Sequence, residues 1–279
     1  MKIAILSGKG GTGKTTISTN LFHIAENFTL FDTDIEEPNT HIFLKGDILD
    51  ESDIHTYYPV VNEKCNLCGK CGDLCKFNAI IPAKSKVIVF KESCHFCGGC
   101  KIVCAQNAIE YEKREIGKIY KKSYSDKEYY YGKLNIGELS GVGIISNLNS
   151  IRDNYENTIT DCPPGTSCST VEALMGVNYA ILVTEPTPFG VSDMKMVVEL
   201  LKKLKIKFDV IINKACLGDD EIYKYCKSEN IEIIGELPFN KEIAKLNSNG
   251  KLITNDKKYY NIFKKILMKI ENKGSVVNV

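Results

Sequence analysis

Apolar residues fall along this chain in short runs that alternate with stretches of helical spacing. Lys2 to Ser7 carries the run Ile3 to Leu6 and predicts a short buried strand, and a helical stretch follows through Ala25. Phe28 to Phe31, Tyr179 to Thr184, Phe208 to Asn213 and Ile231 to Leu237 predict further strands. Helices are predicted over Ile144 to Tyr155, Val191 to Leu204 and Tyr259 to Ile270. In the second of these, Val191, Met194, Val197, Val198, Leu201 and Leu204 recur at helical spacing. Strands separated by helices predict an α/β fold, with a mainly parallel sheet covered by helices on both faces.

The alternation runs through residues 1–59 and resumes near residue 138. Residues 60–112 therefore read as an insertion into one α/β domain made of residues 1–59 and 113–279. The stretch Lys113 to Lys133, rich in lysine and tyrosine, leads back from it. Lys118 to Lys122 and Glu128 to Tyr131 predict two strands of an edge hairpin, whose charges would resist aggregation. Base stacking by these tyrosines is the weaker alternative.

The insertion holds Cys65, Cys68, Cys71 and Cys75, then Cys94, Cys97, Cys100 and Cys104, each set spaced C-x2-C-x2-C-x3-C. Three closely spaced thiolates suit one face of a cuboidal cluster, and a fourth, three residues on, suits a second cluster. On that logic Cys65, Cys68, Cys71 and Cys104 hold one [4Fe–4S] cluster, and Cys94, Cys97, Cys100 and Cys75 hold the other. An Asn-Ala-Ile segment ends each repeat, which makes Ile80 and Ile109 candidate cover for the clusters. Structural zinc also uses C-x2-C pairs but has no need of the third cysteine. The pattern resembles the bacterial two-cluster ferredoxins, except that Lys76 and Ala105 stand where a proline usually follows the fourth cysteine. Such thiols need a reducing compartment, consistent with the cytoplasm, and disulfides are not expected.

The first predicted strand runs into Gly8-Lys-Gly-Gly-Thr-Gly-Lys-Thr-Thr16 and then into a helix, the order a phosphate-binding loop requires. Gly8, Gly10, Gly11 and Gly13 let backbone N–H groups turn toward phosphate, with Thr12 and Thr16 completing the loop. Lys14 reaches the β- and γ-phosphates, and Thr15 can ligate Mg²⁺. The chain has two arginines, Arg114 and Arg152, and neither lies in this loop, so Lys9 is the candidate for neutralising charge on the transferring phosphoryl group.

With Lys9 included, the loop resembles the deviant Walker A motif of the MinD/ParA/nitrogenase iron protein superfamily. The resemblance implies an ATPase whose Lys9 reaches the nucleotide of an opposing subunit, and hence an ATP-dependent homodimer. It also implies that Asp34 in Asp32-Thr-Asp34 positions the attacking water and that Asp32 sits in the Mg²⁺ shell. Asp161-Cys-Pro-Pro-Gly165 is similar to the family's Walker B and switch II segment, with Asp161 on Mg²⁺. The strand before it, Asn157 to Thr160, is weak, because the family usually has an apolar run there. Asn213 and Lys214 resemble the segment that meets the adenine edge, and Pro238 the loop that flanks the base. Cys162 and Cys168 bracket switch II, where packing beside the phosphate site is the simpler expectation.

The sequence has 279 residues, 43% hydrophobic and 25% charged, with net charge +1 and interspersed signs, which gives no electrostatic case for nucleic acid. The last predicted helix sets Ile262, Phe263, Ile266, Leu267 and Ile270 against lysines. It is expected to close the fold rather than bind a membrane. As a whole the chain resembles superfamily ATPases that carry an inserted two-cluster ferredoxin domain. That resemblance implies ATP, Mg²⁺ and two [4Fe–4S] clusters, with nucleotide state coupled to electron transfer toward a redox or metalloprotein partner. Two alternatives stand beside it: an ATP-dependent factor that assembles or carries metallocofactors, and a MinD/ParA-type positioning switch with structural clusters.

Overall fold

A computed structural model describes residues 1–218 and 220–277. The strands are β1 (Lys2–Leu6), β2 (Thr29–Asp32), β3 (Ile48–Val61), β4 (Ile80–Pro82), β5 (Val87–Val89), β6 (Ile109–Tyr124), β7 (Lys127–Leu134), β8 (Thr158–Asp161), β9 (Tyr179–Thr184), β10 (Lys207–Ala215) and β11 (Ile233–Pro238). The helices are α1 (Lys14–Ile24), α2 (Thr40–Phe43), α3 (Lys70–Leu74), α4 (Gly99–Ile102), α5 (Val142–Arg152), α6 (Cys168–Ala173), α7 (Pro188–Leu204), α8 (Glu221–Ser228), α9 (Lys241–Ser248) and α10 (Lys257–Val277). The chain packs as two units, one of residues 1–51, 119–133 and 145–279, the other of residues 52–118 and 134–144. The long strands β3 and β6 carry the chain out of the first unit and back, so the second unit reaches beyond residues 60–112.

The first unit is built on a sheet of order β11-β10-β9-β1-β8-β2-β7-β6-β3. From β11 through β7 every neighbouring pair is parallel. β1 lies inside the sheet, and its alternation decides which side chains meet which helices. Ile3 and Ile5 join a core with Ile17 and Leu21 of α1 and with Phe263 and Ile266 of α10, while Ala4 and Leu6 are buried on the opposite face. The apolar stripe of α10 is thus spent inside this unit, and full burial of each large side chain is worth about 1.5–3 kcal/mol. No helix among the described residues is long and apolar enough to cross a membrane.

Two sequence expectations change here. The strand expected to be weak is β8, fully buried between β1 and β2. Its Ile159 faces the α1 core, and Arg152, itself buried, donates to Thr160 Oγ1 (3.2 Å) and to the Ala173 and Met175 carbonyls. A polar layer on one face thus replaces the apolar run. The expected edge hairpin is also different. β6 and β7 are joined by the turn Ser125-Asp126, but β7 lies between β2 and β6, and β3 forms the edge. Tyr129, Tyr130 and Tyr131 are core residues: the Tyr129 hydroxyl donates to the Leu44 carbonyl (2.6 Å), Tyr130 stacks on Phe31, and Tyr131 stacks on Tyr120.

In the second unit, α3 and α4 follow left-handed glycines, Gly69 and Gly98, and β4 pairs antiparallel with β5. Ala79, Ile80, Ala108 and Ile109 are buried. Asn78 and Asn107 both adopt φ of 50°, a conformation asparagine tolerates well, which accounts for its recurrence in the Asn-Ala-Ile segments.

Candidate functional site

The loop after β1 opens α1 without a side-chain cap, because its N-cap is Gly13 at φ 97°. The first N–H groups of the helix are left for a ligand, the usual origin of a phosphate site. Gly10, Gly11, Gly13, Lys14, Thr15, Thr16, Asp34, Asn213 and Lys214 line one cavity of about 610 Å³. Asn213 braces the loop: its Nδ2 donates to the Thr12 carbonyl (2.7 Å) and its Oδ1 accepts from the Lys214 N–H. A Cβ on Gly13 would meet that Nδ2 at 2.2 Å. Each polar atom of the Asn213 amide thus makes one bond within the chain, and a second N–H and a second lone pair remain on a residue that lines the cavity. Pro238, at the end of β11, lies outside the cavity lining.

Three aspartates lie behind the loop at the ends of β2 and β8. Asp161 accepts from Thr15 Oγ1 (2.7 Å) with Oδ2, while its buried Oδ1 has no partner. An unpaired carboxylate oxygen beside a threonine hydroxyl is a donor set suited to Mg²⁺. Burial pushes the Asp161 carboxyl up to about 6, against the pull of Lys14 and Thr15. Asp34 is also raised to about 6, by burial first, with Lys14 opposing and Asp161 adding. Asp32 is fully buried and uses both oxygens on the loop that follows β2, accepting from the Asp34, Asn39 and Thr40 N–H groups and from Thr40 Oγ1. Burial and neighbouring Asp161 raise it well above the usual carboxylate range, with the Thr40 donors pulling back. These bonds hold the loop that carries Asp34. Gly165, at φ 81°, donates to the Ser7 carbonyl (2.8 Å) and so ties switch II to the end of β1.

Lys9 lies outside the cavity lining and pairs with Glu185 Oε1 at 2.6 Å. Glu185 also holds Lys214 at 2.9 Å, and Lys214 in turn donates to the Gly11 carbonyl. Burial pushes the Glu185 carboxyl up, but the two lysines outweigh it and hold it below its ordinary value. Gly8 lies tight against Asp193 of α7. Cys162 is buried, its thiol pushed up to about 12 by burial, and donates toward the Thr160 carbonyl, the setting of a packing residue. Cys168 and Cys216 are exposed, and Cys226 is buried.

In the second unit the eight cysteines line two cavities. One is lined by Cys65, Cys68, Cys71 and Cys104, the other by Cys75, Cys94, Cys97 and Cys100. Each set takes three members from one motif and the fourth from the other. Backbone N–H groups already point at sulfur: Leu67 at Cys65 and Ala108 at Cys104 in the first set, Phe96 at Cys94 and Ala79 at Cys75 in the second. Ile109 lines the first cavity and Ile80 the second. Among the described residues no three His, Cys, Asp or Glu side chains converge as they would on a single metal ion.

The residues that sequence reasoning missed are Glu185 and Asn247. Asn247 of α9 lines the nucleotide cavity with a buried, unpaired Oδ1. Glu185 left one signal, an acidic residue directly after a fully buried parallel strand; Asn247 left none, since it sits in an amphipathic helix far along the chain.

Residues 3–253 match the family model described as the CobQ/CobB/MinD/ParA nucleotide binding domain. The chain is 33% identical over 261 residues to "Uncharacterized protein MJ0579" of Methanocaldococcus jannaschii, covering 90% of each chain. It is 22% identical over 309 residues to the septum site-determining protein MinD of Bacillus subtilis, covering 99% of this chain and 96% of that one. Among solved structures, it resembles the septum site-determining protein MinD complexed with Mg-ADP from Pyrococcus horikoshii. The TM-score is 0.61 at 18% identity, over 99% of this chain and 97% of that chain.

Proposed function

The chain belongs to the CobQ/CobB/MinD/ParA nucleotide-binding family, and from that premise we propose an ATP-hydrolysing iron–sulfur protein in which nucleotide state governs electron transfer to a partner metalloprotein. The observation that carries this reading is the sorting of eight cysteines into two cavities, each completed by the other motif's last cysteine, in a chain that also holds a phosphate loop. Four thiolates around each cavity, with N–H groups directed at sulfur, are a donor set that fits a [4Fe–4S] cluster. Such clusters, when bound, supply one-electron chemistry at low potential.

The remaining chemistry belongs to the chain. The uncapped start of α1 and Lys14 bind the phosphates, and Thr15 with Asp161 holds Mg²⁺, which screens phosphate charge. Asp34, beside Lys14 and with its carboxyl near 6, orients water for attack and accepts its proton. Asp32 acts through the loop it holds. Lys9 leaves Glu185 to reach the nucleotide of a second copy, which makes ATP-dependent dimerisation part of the cycle. Phosphate release then relaxes the Asp34 loop and the segment from Asp161 to Gly165. β7, paired with β2 from Leu30 through Asp32, continues at Leu134 into the second unit, so nucleotide state has a covalent route to the cysteines. On this reading residues 60–112 form an inserted ferredoxin-like domain.

A MinD/ParA-type positioning switch is the second reading, favoured by the likeness to septum-site proteins. Burial of the apolar stripe of α10 weighs against its membrane-bound form. The experiment that separates the two is a redox titration of anaerobically prepared protein with and without MgATP. A displaced reduction step is expected, and superimposable titrations would refute the coupling.

A further inference from the structure

The two cysteine sets are related by the sequence repeat, and their sulfur contacts are matched almost atom for atom. Each receives two backbone N–H groups, at 3.3 or 3.4 Å, from equivalent positions. The match fails at one pair of counterparts. Tyr111, at the start of β6, places its hydroxyl 3.7 Å from Cys100 Sγ. Its counterpart in the repeat is Pro82, whose ring lies against Gly72, next to Cys71, and offers no donor. The Tyr111 ring is held edge-on against Phe96, with Lys101 over its face, so the hydroxyl is fixed by packing. A thiolate bound to iron has no proton to give, so in the loaded protein the tyrosine must be the donor.

We propose that Tyr111 sets the order of reduction, making the cluster site of Cys75, Cys94, Cys97 and Cys100 the first of the two to accept an electron. The proposal rests on the reading of the cysteines as ligands of two [4Fe–4S] clusters. A hydrogen bond to a ligand sulfur stabilises the more negative, reduced state and raises the potential of that cluster alone. Each site takes up one electron from the external reductant, and no bond or proton changes hands. Tyr111 is thus a tuning residue, acting through Cys100.

The test is a potentiometric titration with dithionite, followed by EPR, on wild-type protein, Tyr111→Phe and the control Tyr57→Phe; Tyr57 packs on the same Phe96 ring. With iron and sulfide content unchanged, Tyr111→Phe is expected to move the higher of two steps to more negative potential and to leave the other step and the control in place. Replacing Tyr111 by 3-fluorotyrosine, a stronger donor of nearly the same shape, moves the same step the opposite way. Two unmoved steps in iron-replete Tyr111→Phe, or two steps moved equally, overturn the assignment. If that variant loses iron, an unmoved step in the fluorotyrosine protein overturns it. Wild-type protein that contains no iron overturns the underlying reading itself, and does so before any variant is compared.

Discussion

Glu185→Gln removes the one carboxylate that holds both Lys9 and Lys214, at 2.6 and 2.9 Å. A close ion pair is worth about 4 kcal/mol at an effective dielectric of about 20. The lysines are 35% and 34% exposed against 10% for Glu185, so solvent screening brings the net worth of the Lys9 link to about 1 kcal/mol. If Lys9 must leave Glu185 to reach a second copy's nucleotide, that energy opposes dimerisation. Each dimer frees two Lys9 side chains, about 2 kcal/mol in all, so Glu185→Gln is then expected to tighten the dimer formed with a non-hydrolysable ATP analogue by about thirtyfold. Sedimentation equilibrium should be run on wild type, Glu185→Gln, Lys9→Ala and the double variant. The gain should vanish when Lys9 is absent, because only the freed Lys9 produces it. An equal gain in the Lys9→Ala background, or none at all, would refute the reasoning.

Four further outcomes are expected. Gly13→Ala forces a side chain into φ 97° and against Asn213, so it should abolish nucleotide binding measured by calorimetry while the cysteine unit keeps its metal content. Asp34 and Asp161 have folded-state values near 6, above their ordinary 3.8, so Mg²⁺-nucleotide affinity should fall as pH drops through 6, with protons released on binding. Their contribution to the stability of the ligand-free protein is complete below about pH 4 and is lost as pH rises through 6; thermal melts across that range should show the decline, and Mg²⁺-nucleotide should offset it. Tyr129→Ala should cost about 3–5 kcal/mol in denaturant unfolding, as a core residue does; a loss within about 0.5 kcal/mol would return the hairpin to the surface.

The parts of the fold written in local pattern were legible in the sequence. The run Tyr179 to Thr184 is β9 residue for residue, because a short, mostly apolar run with no competing period has one reading. The phosphate loop was legible because strand, glycines and helix must follow in that order. Cysteine spacing assigned Cys104 to the first set and Cys75 to the second, and the two cavities are lined by those same sets. What escaped depends on partners distant in sequence. Thr160 looks unfit for a central strand until Arg152 is placed beside it. Tyr129 to Tyr131 look like an exposed edge until β2 is set beside them. Lys9 is held by Glu185, about two-thirds of the chain away, and nothing in the loop announces that partner.

The most direct measurement is iron and acid-labile sulfide content of anaerobically purified protein, together with the integrated EPR signal after dithionite reduction. Two clusters predict about eight irons per chain and about two spins. Colourless protein with zinc or no metal in the cysteine unit, and no reduced signal, would contradict the account.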